Sequence, residues 1–273
     1  MDPFISIVTV SLDAVDTIQD ALASVAMQKS DFCIEHICVD GGSRDGTREI
    51  INAWARKTSH IVPLFEADDG IFDAMNKGLR LSRGEYVIFL NADDFLAGPD
   101  ALTMAMDGLR PGAPENPDLI AGDVAMGFCG CWGVWRHRRV PRSLGRLRGT
   151  GLFPLHPAQF TKRTLLQSIG GFDAGKKLAS DVTQFYDLER KTRRLSVRIV
   201  PQDISCMRPG GSANASLGAM ALGTGEIFRH LLPTHGTVRA AAMVLVKTLQ
   251  SVSELRYGTC PHQRWFRSAA TAT

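Results

Sequence analysis

This chain of 273 residues has no long apolar run, no cysteine pair with C-x-x-C spacing and no strong net charge. No stretch of about 18 uninterrupted apolar residues occurs, so no transmembrane helix is predicted. No basic-then-apolar leader precedes the first apolar segment, and its six cysteines show no C-x-x-C spacing. We therefore expect a cytoplasmic protein with reduced thiols, without a disulfide or zinc framework. A net charge of +3 is too small to indicate nucleic-acid binding.

Two familiar phosphate-binding signatures are also missing. No Gly-Lys-Ser/Thr follows a glycine-rich loop, which excludes a Walker A site, and no G-x-G-x-x-G follows a strand. The composition is otherwise ordinary, with 44% hydrophobic and 22% charged residues. Such a chain buries a full core and forms one large α/β domain, or one domain with a tail.

Strand-like and helix-like segments alternate through the first half of the chain. This alternation predicts an α/β fold whose mostly parallel sheet is flanked by helices. Ligands of such sheets bind at the carboxyl ends of the strands. The predicted strands are Ile5–Val10, Cys33–Val39, Ile61–Phe65 and Tyr86–Leu90, and the predicted helices are Thr17–Gln28, Thr47–Lys57 and Ile71–Leu81.

The pattern loosens after a Pro/Gly-rich loop at Gly108–Pro117. Short strands are predicted at Leu119–Ala121, Cys131–Trp135 and Ser196–Val200, and short helices at Thr164–Ile169 and Val182–Arg190. We divide the chain into a domain at 1–210, with halves at 1–110 and 111–210, and a helical C-terminal extension at 211–273. The extension's apolar run, Val238–Val252, either packs against the domain or lies on a membrane surface.

An acidic cluster follows the fourth predicted strand. The apolar run Tyr86–Leu90 ends at Asn91, Asp93 and Asp94. Adjacent carboxylates repel each other, and a divalent cation such as Mg²⁺ or Mn²⁺ would neutralise them. The residues alone leave two interpretations open, a metal site for a phosphate ligand or a solvated acidic turn.

Two further strand ends carry polar residues. Asp40 and the turn Gly41–Gly46 follow the second strand, and they either approach a nucleotide or form a plain turn in which Asp45 or Thr47 caps a helix. In the segment Glu66–Gly78, Asp69 either caps the helix or contacts a ligand. Asp73, Asn76 and Lys77 share one side of that helix, as a ligand-binding or a solvated face.

Four motifs in this order resemble the family 2 glycosyltransferases, which have the Rossmann-like GT-A fold and commonly act in bacterial surface-polysaccharide assembly. They cover about the first 100 residues. The motifs are Ile7-Val-Thr-Val-Ser11, Val39-Asp-Gly-Gly-Ser-Arg-Asp-Gly-Thr47, Asp69-Gly-Ile-Phe-Asp-Ala-Met-Asn-Lys-Gly78 and Phe89-Leu-Asn-Ala-Asp-Asp94.

The resemblance implies a nucleotide-sugar site with a divalent cation. Asp40 would contact the base, usually uracil, and Asn91-Ala92-Asp93 occupies the family's Asp-x-Asp metal motif. Asp93 would be the metal ligand, and Asp94 would compensate for Asn91, which departs from the family's first Asp. The implied nucleotide-sugar contacts are Thr9, Ser11, Asp40, Asp69, Asn76, Lys77, Asn91, Ala92 and Asp93.

The second half resembles the family through shorter segments. Leu155-His-Pro-Ala-Gln-Phe160 matches its His-Pro segment, and Gly170-Gly-Phe-Asp173 matches a Gly-Gly-Phe-Asp/Glu turn. Asp181 falls where the family carries its general base, although an N-cap is the alternative role for this residue. His156 is either a phosphate or metal contact or a structural histidine.

A basic stretch runs from Arg136 to Arg148, just after Trp132 and Trp135. Arginines suit a diphosphate on a polyprenyl-linked acceptor or anionic lipid head groups, and a solvated loop is the alternative.

The sequence therefore predicts an inverting, metal-dependent glycosyltransferase that moves a sugar from a nucleotide-diphospho-sugar, UDP-linked by resemblance, to a saccharide or polyprenyl-diphosphate-linked acceptor. It would act in the cytoplasm, with peripheral contact at the inner membrane face as an added option. Two alternatives remain. One is a glycosyltransferase-like protein that binds nucleotide without turnover. The other is a sugar nucleotidyltransferase, although the acidic, glycine-free segment Ser11–Asp16 argues against it.

Overall fold

The computed structural model describes residues 2–127, 133–140, 153–192, 195–208, 216–253 and 255–258. Its first half alternates strands and helices. The elements are β1 (Ile5–Ser11), α1 (Ile18–Ala26), β2 (Ile34–Asp40), α2 (Thr47–Lys57), β3 (Ile61–Phe65), α3 (Ile71–Leu81), β4 (Tyr86–Phe89), β5 (Phe95–Leu96) and α4 (Ala101–Met106).

The second half begins with longer strands and ends in a long helix. Its elements are β6 (Leu119–Gly127), β7 (Gly133–Arg138), a 3₁₀ turn (His156–Ala158), β8 (Gln159–Lys162), α5 (Arg163–Ser168), α6 (Ser180–Lys191), β9 (Val197–Met207), α7 (Leu217–Ser253) and β10 (Leu255–Gly258). Helix α7 is broken at Gly236, whose φ of 72° is not helical, shortly after Pro233.

The strands of the described residues form one mixed sheet. Its main path runs β10-β7-β6-β8-β4-β1-β2-β3, and β9 pairs with β5 and β6. Strands β1 to β4 pair in parallel, as the strand–helix alternation predicts. The β8 strand joins β4 antiparallel and begins a half in which most pairs are antiparallel. The sheet is therefore parallel where its helices cross over and antiparallel where the chain turns back directly.

Helices cover both faces of the sheet. Strand residues alternate between the two faces, so Val8 and Val10 of β1 pack towards α3, α6 and α7, whereas Ile5 and Ile7 pack towards α1 and α4. Helix α7 enters the first of these layers through Ile227, Leu231, Ala240 and Met243.

Most predicted elements are confirmed, several with the same bounds, including α2, β3 and α3. Four elements were not predicted: β5, α4, β8 and β10. The first three contain two to six residues, too few to show a period, and β10 lies where only helix was expected. The predicted strand Ser196–Val200 extends to Met207, because β6 supplies a long partner.

Only part of the predicted basic stretch can be placed. Residues up to Arg138 belong to β7, where Arg138 itself is buried with its guanidinium over the ring of Phe153. Trp132, Arg142, Arg146 and Arg148 lie outside the described residues. The prediction of an anion-binding loop there stays a prediction.

Gly84 marks the closest backbone contact at the start of β4. A Cβ atom added there would lie 2.6 Å from the backbone nitrogen of Ser6 and 2.8 Å from the carbonyl carbon of Ile5. The backbone N–H of Gly84 also donates to the hydroxyl of Ser6. Because backbone atoms cannot rotate away, only glycine fits between the end of α3 and β1.

We predict that Gly84→Ala lowers the free energy of unfolding by about 1–3 kcal/mol, the usual cost of overpacking. Gly98→Ala is the matched control, because nothing lies within 4 Å of its Cβ position, and its effect should stay within about 0.5 kcal/mol. Urea denaturation of both variants measures the difference. Equal midpoints for the two variants would contradict this packing.

Candidate active site

The polar strand ends meet at one edge of the sheet. Strand β1 lies between β2 and β4, and Ser11 at its end is in register with Asp40 of β2. On the other side, the N–H of Ala92 donates to the carbonyl of Val10. The Asp40 turn and the segment Asn91–Asp94 therefore flank the end of β1, as expected for a site at the carboxyl edge.

Asp40 is fully buried and holds its own turn together. One carboxylate oxygen accepts hydrogen bonds from the backbone N–H groups of Gly42 (3.1 Å) and Ser43 (2.9 Å). The other accepts from the hydroxyls of Ser43 (2.5 Å) and Ser11 (3.0 Å). A carboxylate has about four acceptor positions, and all are occupied. In this arrangement neither Asp40 nor the Ser11 hydroxyl proton is left for a base.

The loops after β1 and β2 are tied to each other. The N–H of Asp13 donates to the hydroxyl of Ser43, and the N–H of Arg44 donates back to the carboxylate of Asp13. Asp45 accepts from the N–H of Val15 and from Thr47, and these bonds, led by the Thr47 hydroxyl, lower its pKa. Asp45 therefore has the turn-forming role that the sequence left as an alternative to nucleotide binding.

Thr9 is not brought into the crevice. Its side chain is fully buried, and its hydroxyl lies 2.8 Å from Nε2 of His36 on the neighbouring strand. Burial, with a smaller contribution from His60, lowers the pKa of His36 to about 3. The ring is therefore neutral at ordinary pH, and the pair is a buried polar contact between β1 and β2.

Lys77 is also used within its own segment. Its ammonium lies 2.8 Å from the carboxylate of Glu66 and 3.4 Å from that of Asp73, and it donates to the carbonyl of Ala67. The hydrogen bond to Glu66 is the main cause that raises the pKa of Lys77. This amine fastens α3 to the loop before it, and the structure shows no free phosphate-facing amine there. Asp69 is exposed, and its backbone N–H donates to Asp73.

Asn76 joins the two halves of the chain. Its amide nitrogen donates to the carbonyl of Phe172 (2.9 Å), and its amide oxygen accepts from the N–H of the same residue (2.8 Å). Gly170 and Gly171 have φ values of 84° and 77°, which explains the two glycines of the Gly-Gly-Phe-Asp turn. Both ends of the Asn76 amide therefore bind backbone, where the resemblance implied a nucleotide contact.

The segment Asn91–Asp94 forms a turn at the end of β4. The N–H of Asp94 donates to the carbonyl of Asn91, and the side chain of Ala92 packs in the core beside α1. Asp93 is half-buried, whereas Asp94 is fully buried. Burial, reinforced by the nearby charge of Asp93, raises the pKa of Asp94 well above its usual value.

Arg208, just after β9, is the cation beside this turn. Its guanidinium donates to the carbonyl of Asp93, pairs with Asp20 and lies over the ring of Phe95. Its positive charge partly offsets the effect of burial on the pKa of Asp94. Sequence reasoning missed Arg208, because a single arginine before a Pro-Gly-Gly stretch carries no pattern.

His156 connects the metal motif to the predicted base. The Asn91 amide nitrogen lies 3.2 Å from Nε2 of His156, and Nδ1 of the same ring lies 3.3 Å from Oδ2 of Asp181. With the amide nitrogen of Asn91 as donor, Nε2 is the acceptor, and the Nδ1 edge of the ring faces the carboxylate. The structure thus brings Asn91, His156 and Asp181 together, although they come from three separate segments.

Asp181 stands in the first turn of α6 without capping it. The preceding N–H groups of Lys177, Leu178 and Ala179 donate instead to the carboxylate of Glu226 on α7. Glu226 therefore holds the backbone just before α6, whose first turn has no side-chain cap, and the carboxylate of Asp181 faces His156. The N-cap alternative for Asp181 does not hold in this structure.

Several buried polar atoms at this site have no hydrogen-bond partner in the described structure: Asn91 Oδ1, Asp94 Oδ2, His156 Nδ1, Asp181 Oδ1 and Gln184 Nε2. Each such atom costs about 1–3 kcal/mol when nothing pairs with it. Gln184 lies one turn after Asp181 and was not singled out from the sequence. The unpartnered atoms of Asn91, His156 and Asp181, which lie next to one another, indicate the place where a polar ligand binds.

The donor set partly fits a divalent cation. Among the described residues, no three His, Cys, Asp or Glu side chains are arranged to hold a metal. The unpartnered oxygens of Asn91 and Asp94 and the half-buried Asp93 are nevertheless hard oxygen donors, which suit Mg²⁺ or Mn²⁺. Mg²⁺ commonly takes one or two protein carboxylates and completes its shell with substrate phosphates. These residues fit a cation held jointly with a diphosphate.

Solved structures with this architecture are GT-A glycosyltransferases. S. aureus TarS in complex with UDP-GlcNAc has a TM-score of 0.59 and 16% identity, covering 91% of this chain and 90% of that chain. The mannosyltransferase PcManGT from Pyrobaculum calidifontis, in complex with GDP-Man and Mn²⁺, has a TM-score of 0.61 and 18% identity, covering 100% and 81%. These likenesses show that the chain has the GT-A fold.

The pattern that defines Glycosyl transferase family 2 matches residues 6–175, well over half of the chain. The chain belongs to Glycosyl transferase family 2, which confirms the resemblance of its motifs.

Curated relatives agree with this assignment over part of their length. An uncharacterized glycosyltransferase of Mycobacterium tuberculosis is 30% identical over 190 residues, which are 66% of this chain and 66% of that protein. A PGL/p-HBAD biosynthesis glycosyltransferase of Mycobacterium bovis is 37% identical over 126 residues, 45% and 48% of the two chains. A putative teichuronic acid biosynthesis glycosyltransferase of Bacillus subtilis is 39% identical over 94 residues, 34% and 36%. The chain spans just under two thirds of the first relative and about half of the second.

The buried Thr9–His36 contact predicts a pH dependence of stability. The pKa of His36 is about 3 in the fold and near its usual 6.5 in the unfolded chain. Below pH 6.5 the unfolded state therefore binds a proton that the folded state does not, and stability falls by about 1.4 kcal/mol per pH unit. From pH ~7 to pH ~5 the expected loss is about 2 kcal/mol.

His36→Gln removes this titration and keeps a polar group near Thr9. Its urea midpoint should fall less than that of the wild type between the same two pH values. If both proteins lose equal stability on acidification, His36 is not the group that causes the loss.

Proposed function

We propose that this protein is an inverting glycosyltransferase that moves a sugar from a UDP-linked donor to a saccharide or polyprenyl-diphosphate-linked acceptor in the assembly of a cell-surface glycan. The main observation behind this proposal is the contact between Asn91, His156 and Asp181, which sets the carboxylate of Asp181 beside the Asn91–Asp94 turn. Family membership supports glycosyl transfer as the reaction. The teichuronic acid relative supports a surface glycan, and the UDP-GlcNAc complex of TarS supports a UDP-linked donor.

The donor's diphosphate belongs at the turn after β4 in this proposal. Asp93, with Asn91 and Asp94, would hold Mg²⁺ or Mn²⁺, and the Mn²⁺ complex of PcManGT supports such a cation. When bound, the cation supplies positive charge where the leaving diphosphate develops negative charge. Arg208 lies against the same turn and adds a second cation there.

Asp181 is the proposed general base. Its Oδ1 atom has no partner, so this atom can accept the proton of the acceptor hydroxyl. Nδ1 of His156 lies 3.3 Å from the other carboxylate oxygen, which places the ring directly beside Asp181. The hydroxyl oxygen then attacks the anomeric carbon from the side opposite the diphosphate, and the configuration inverts as is usual in the family.

A binding protein without turnover is the second candidate. The observation that favours it is Asn91, which replaces the first carboxylate of the metal motif and uses its amide nitrogen on His156. A sugar nucleotidyltransferase finds less support. The loop after β1 is tied to the Asp40 turn through Asp13, so it lacks the open glycine-rich form that cradles phosphates.

We predict metal-dependent release of UDP from at least one of a panel of UDP-sugars. UDP with Mn²⁺ at about 100 times its Kd should stabilise the wild type by about 2.7 kcal/mol. Asp93→Ala should lose the metal-dependent part of this stabilisation and all turnover, whereas Asp100→Ala, an exposed carboxylate on another segment, should lose neither. Metal-dependent UDP binding without release from any donor would favour the binding protein.

Asp181→Asn tests the base. The variant should keep UDP binding and lose transfer by about 10²-fold or more, because an amide cannot take up the proton. His156→Ala should lower kcat by about 10-fold, and the double variant should be no slower than Asp181→Asn alone if His156 acts through Asp181. Asp187→Asn, on the same helix but paired with Arg190 and His230, is the matched control and should leave kcat unchanged.

Two results would contradict these roles. Loss of UDP binding in Asp181→Asn would place this residue in the donor site or the fold. Additive losses in the double variant would mean that His156 acts independently of Asp181.

A further inference from the structure

Helix α7 carries an unusual share of the exposed large apolar side chains. It packs on the core with one side, through residues such as Ile227 and Met243, and turns a second apolar side to solvent. We call this second side the apolar face of α7. Its members after the break at Gly236 are Val238, Leu245 and Leu249, and Leu217, Met220 and Leu222 are exposed in the part before the break.

The pattern is clearest after the break at Gly236. Val238, Leu245 and Leu249 are 86%, 57% and 59% exposed, and their spacing of seven and four residues puts them on one side of the helix. The opposite side contains Ala240 and Met243, which are buried. A surface helix usually turns its polar side to solvent, so a continuous apolar outer side indicates a docking surface.

The charges of α7 favour an anionic occupant. Glu226 is the single acidic residue in its sequence, and its carboxylate is held inward by the N–H groups at the start of α6. Arg229 and Arg239 are exposed, and Arg239 borders the groove between α7 and α6. Apolar side chains flanked by cations, without exposed carboxylates, fit the boundary between lipid tails and anionic head groups. A contact with another protein would not require that the exposed charges of α7 all be positive.

The described helices do not reach the length and apolarity that a membrane span requires. Exposed apolar side chains occur on α7 both before and after the break at Pro233–Gly236. These features match a helix that lies along a bilayer surface.

The same helix lies against the candidate base. Glu226 holds the N–H of Ala179, two residues before Asp181. Further along α7, burial lowers the pKa of Lys247. The negative charge of Asp181 raises that pKa, so the two side chains lie near each other. The inner side of α7 thus borders the candidate site, and the outer side of the same helix meets solvent.

We propose that the apolar face of α7 docks on an anionic membrane surface and so holds Asp181 at the level where a lipid-linked acceptor presents its sugar or phosphate. The docking surface stands on the exposed side chains and charges alone. The second part, delivery of a lipid-linked acceptor, rests on the proposed function.

Co-sedimentation with lipid vesicles tests the docking surface. The full chain should bind vesicles of equal parts phosphatidylglycerol and phosphatidylcholine and should bind pure phosphatidylcholine vesicles much less. The double variant Leu245→Gln/Leu249→Gln should bind the anionic vesicles about 10-fold more weakly or worse, because two apolar side chains are lost from the contact. Arg229→Gln, at an exposed arginine opposite the buried Ile227 and Leu231, should weaken binding about fivefold.

Leu81→Gln is the matched control, because Leu81 is an exposed leucine on α3 and should have no effect on vesicle binding. UDP-dependent thermal stabilisation should be the same in all variants, which shows that they are folded. The proposal would be overturned by unchanged vesicle binding in the double variant, or by a wild type that does not bind anionic vesicles. So would a dimer of the wild type that the double variant dissociates, because the face would then be a contact between two copies. Absence of turnover with intact vesicle binding would overturn the proposed function and leave the docking surface standing.

Discussion

The contact between His156 and Asp181 is the interaction on which the site depends. It joins the end of β4, through Asn91, to the start of α6 in the other half of the chain. Without it, the turn Asn91–Asp94 and the carboxylate of Asp181 would be two separate polar patches. The second carboxylate oxygen of Asp181 has no hydrogen-bond partner in the described structure. Residues from the two halves of the chain therefore share one buried polar row.

The polar residues around this row divide into those that build the crevice and those that face it. Asp40 accepts hydrogen bonds from its own turn. Asn76 bonds to the backbone of Phe172, and Lys77 pairs with Glu66 in the loop before α3. These residues fix the shape of the sheet edge. Asn91, Asp94 and Asp181 instead keep buried acceptor atoms without partners. A fold tolerates such atoms where a ligand completes them, and this contrast favours the residues after β4 and at the start of α6 as the ones that face a ligand.

The parallel half of the fold could be predicted because each strand and helix there is long enough to show its period. The antiparallel half could not, since β8 has four residues and gains its stability from β4 and β6. The sequence predicts which strand ends are polar, but it does not show where their hydrogen bonds go. Asn76 bonds to a residue 96 positions away, and His156 meets Asn91 over 65 positions. Contacts at such separation depend on topology, which local patterns do not specify.

The central claim is that the turn Asn91–Asp94 holds the cation and diphosphate of a nucleotide-sugar opposite Asp181. A crystal of the protein soaked with UDP and Mn²⁺, with anomalous diffraction measured for manganese, tests it most directly. We predict a manganese peak in contact with the Asp93 carboxylate and with the UDP diphosphate, on the side of the turn that faces His156. A bound UDP whose diphosphate and manganese lie away from Asp93 would contradict the account.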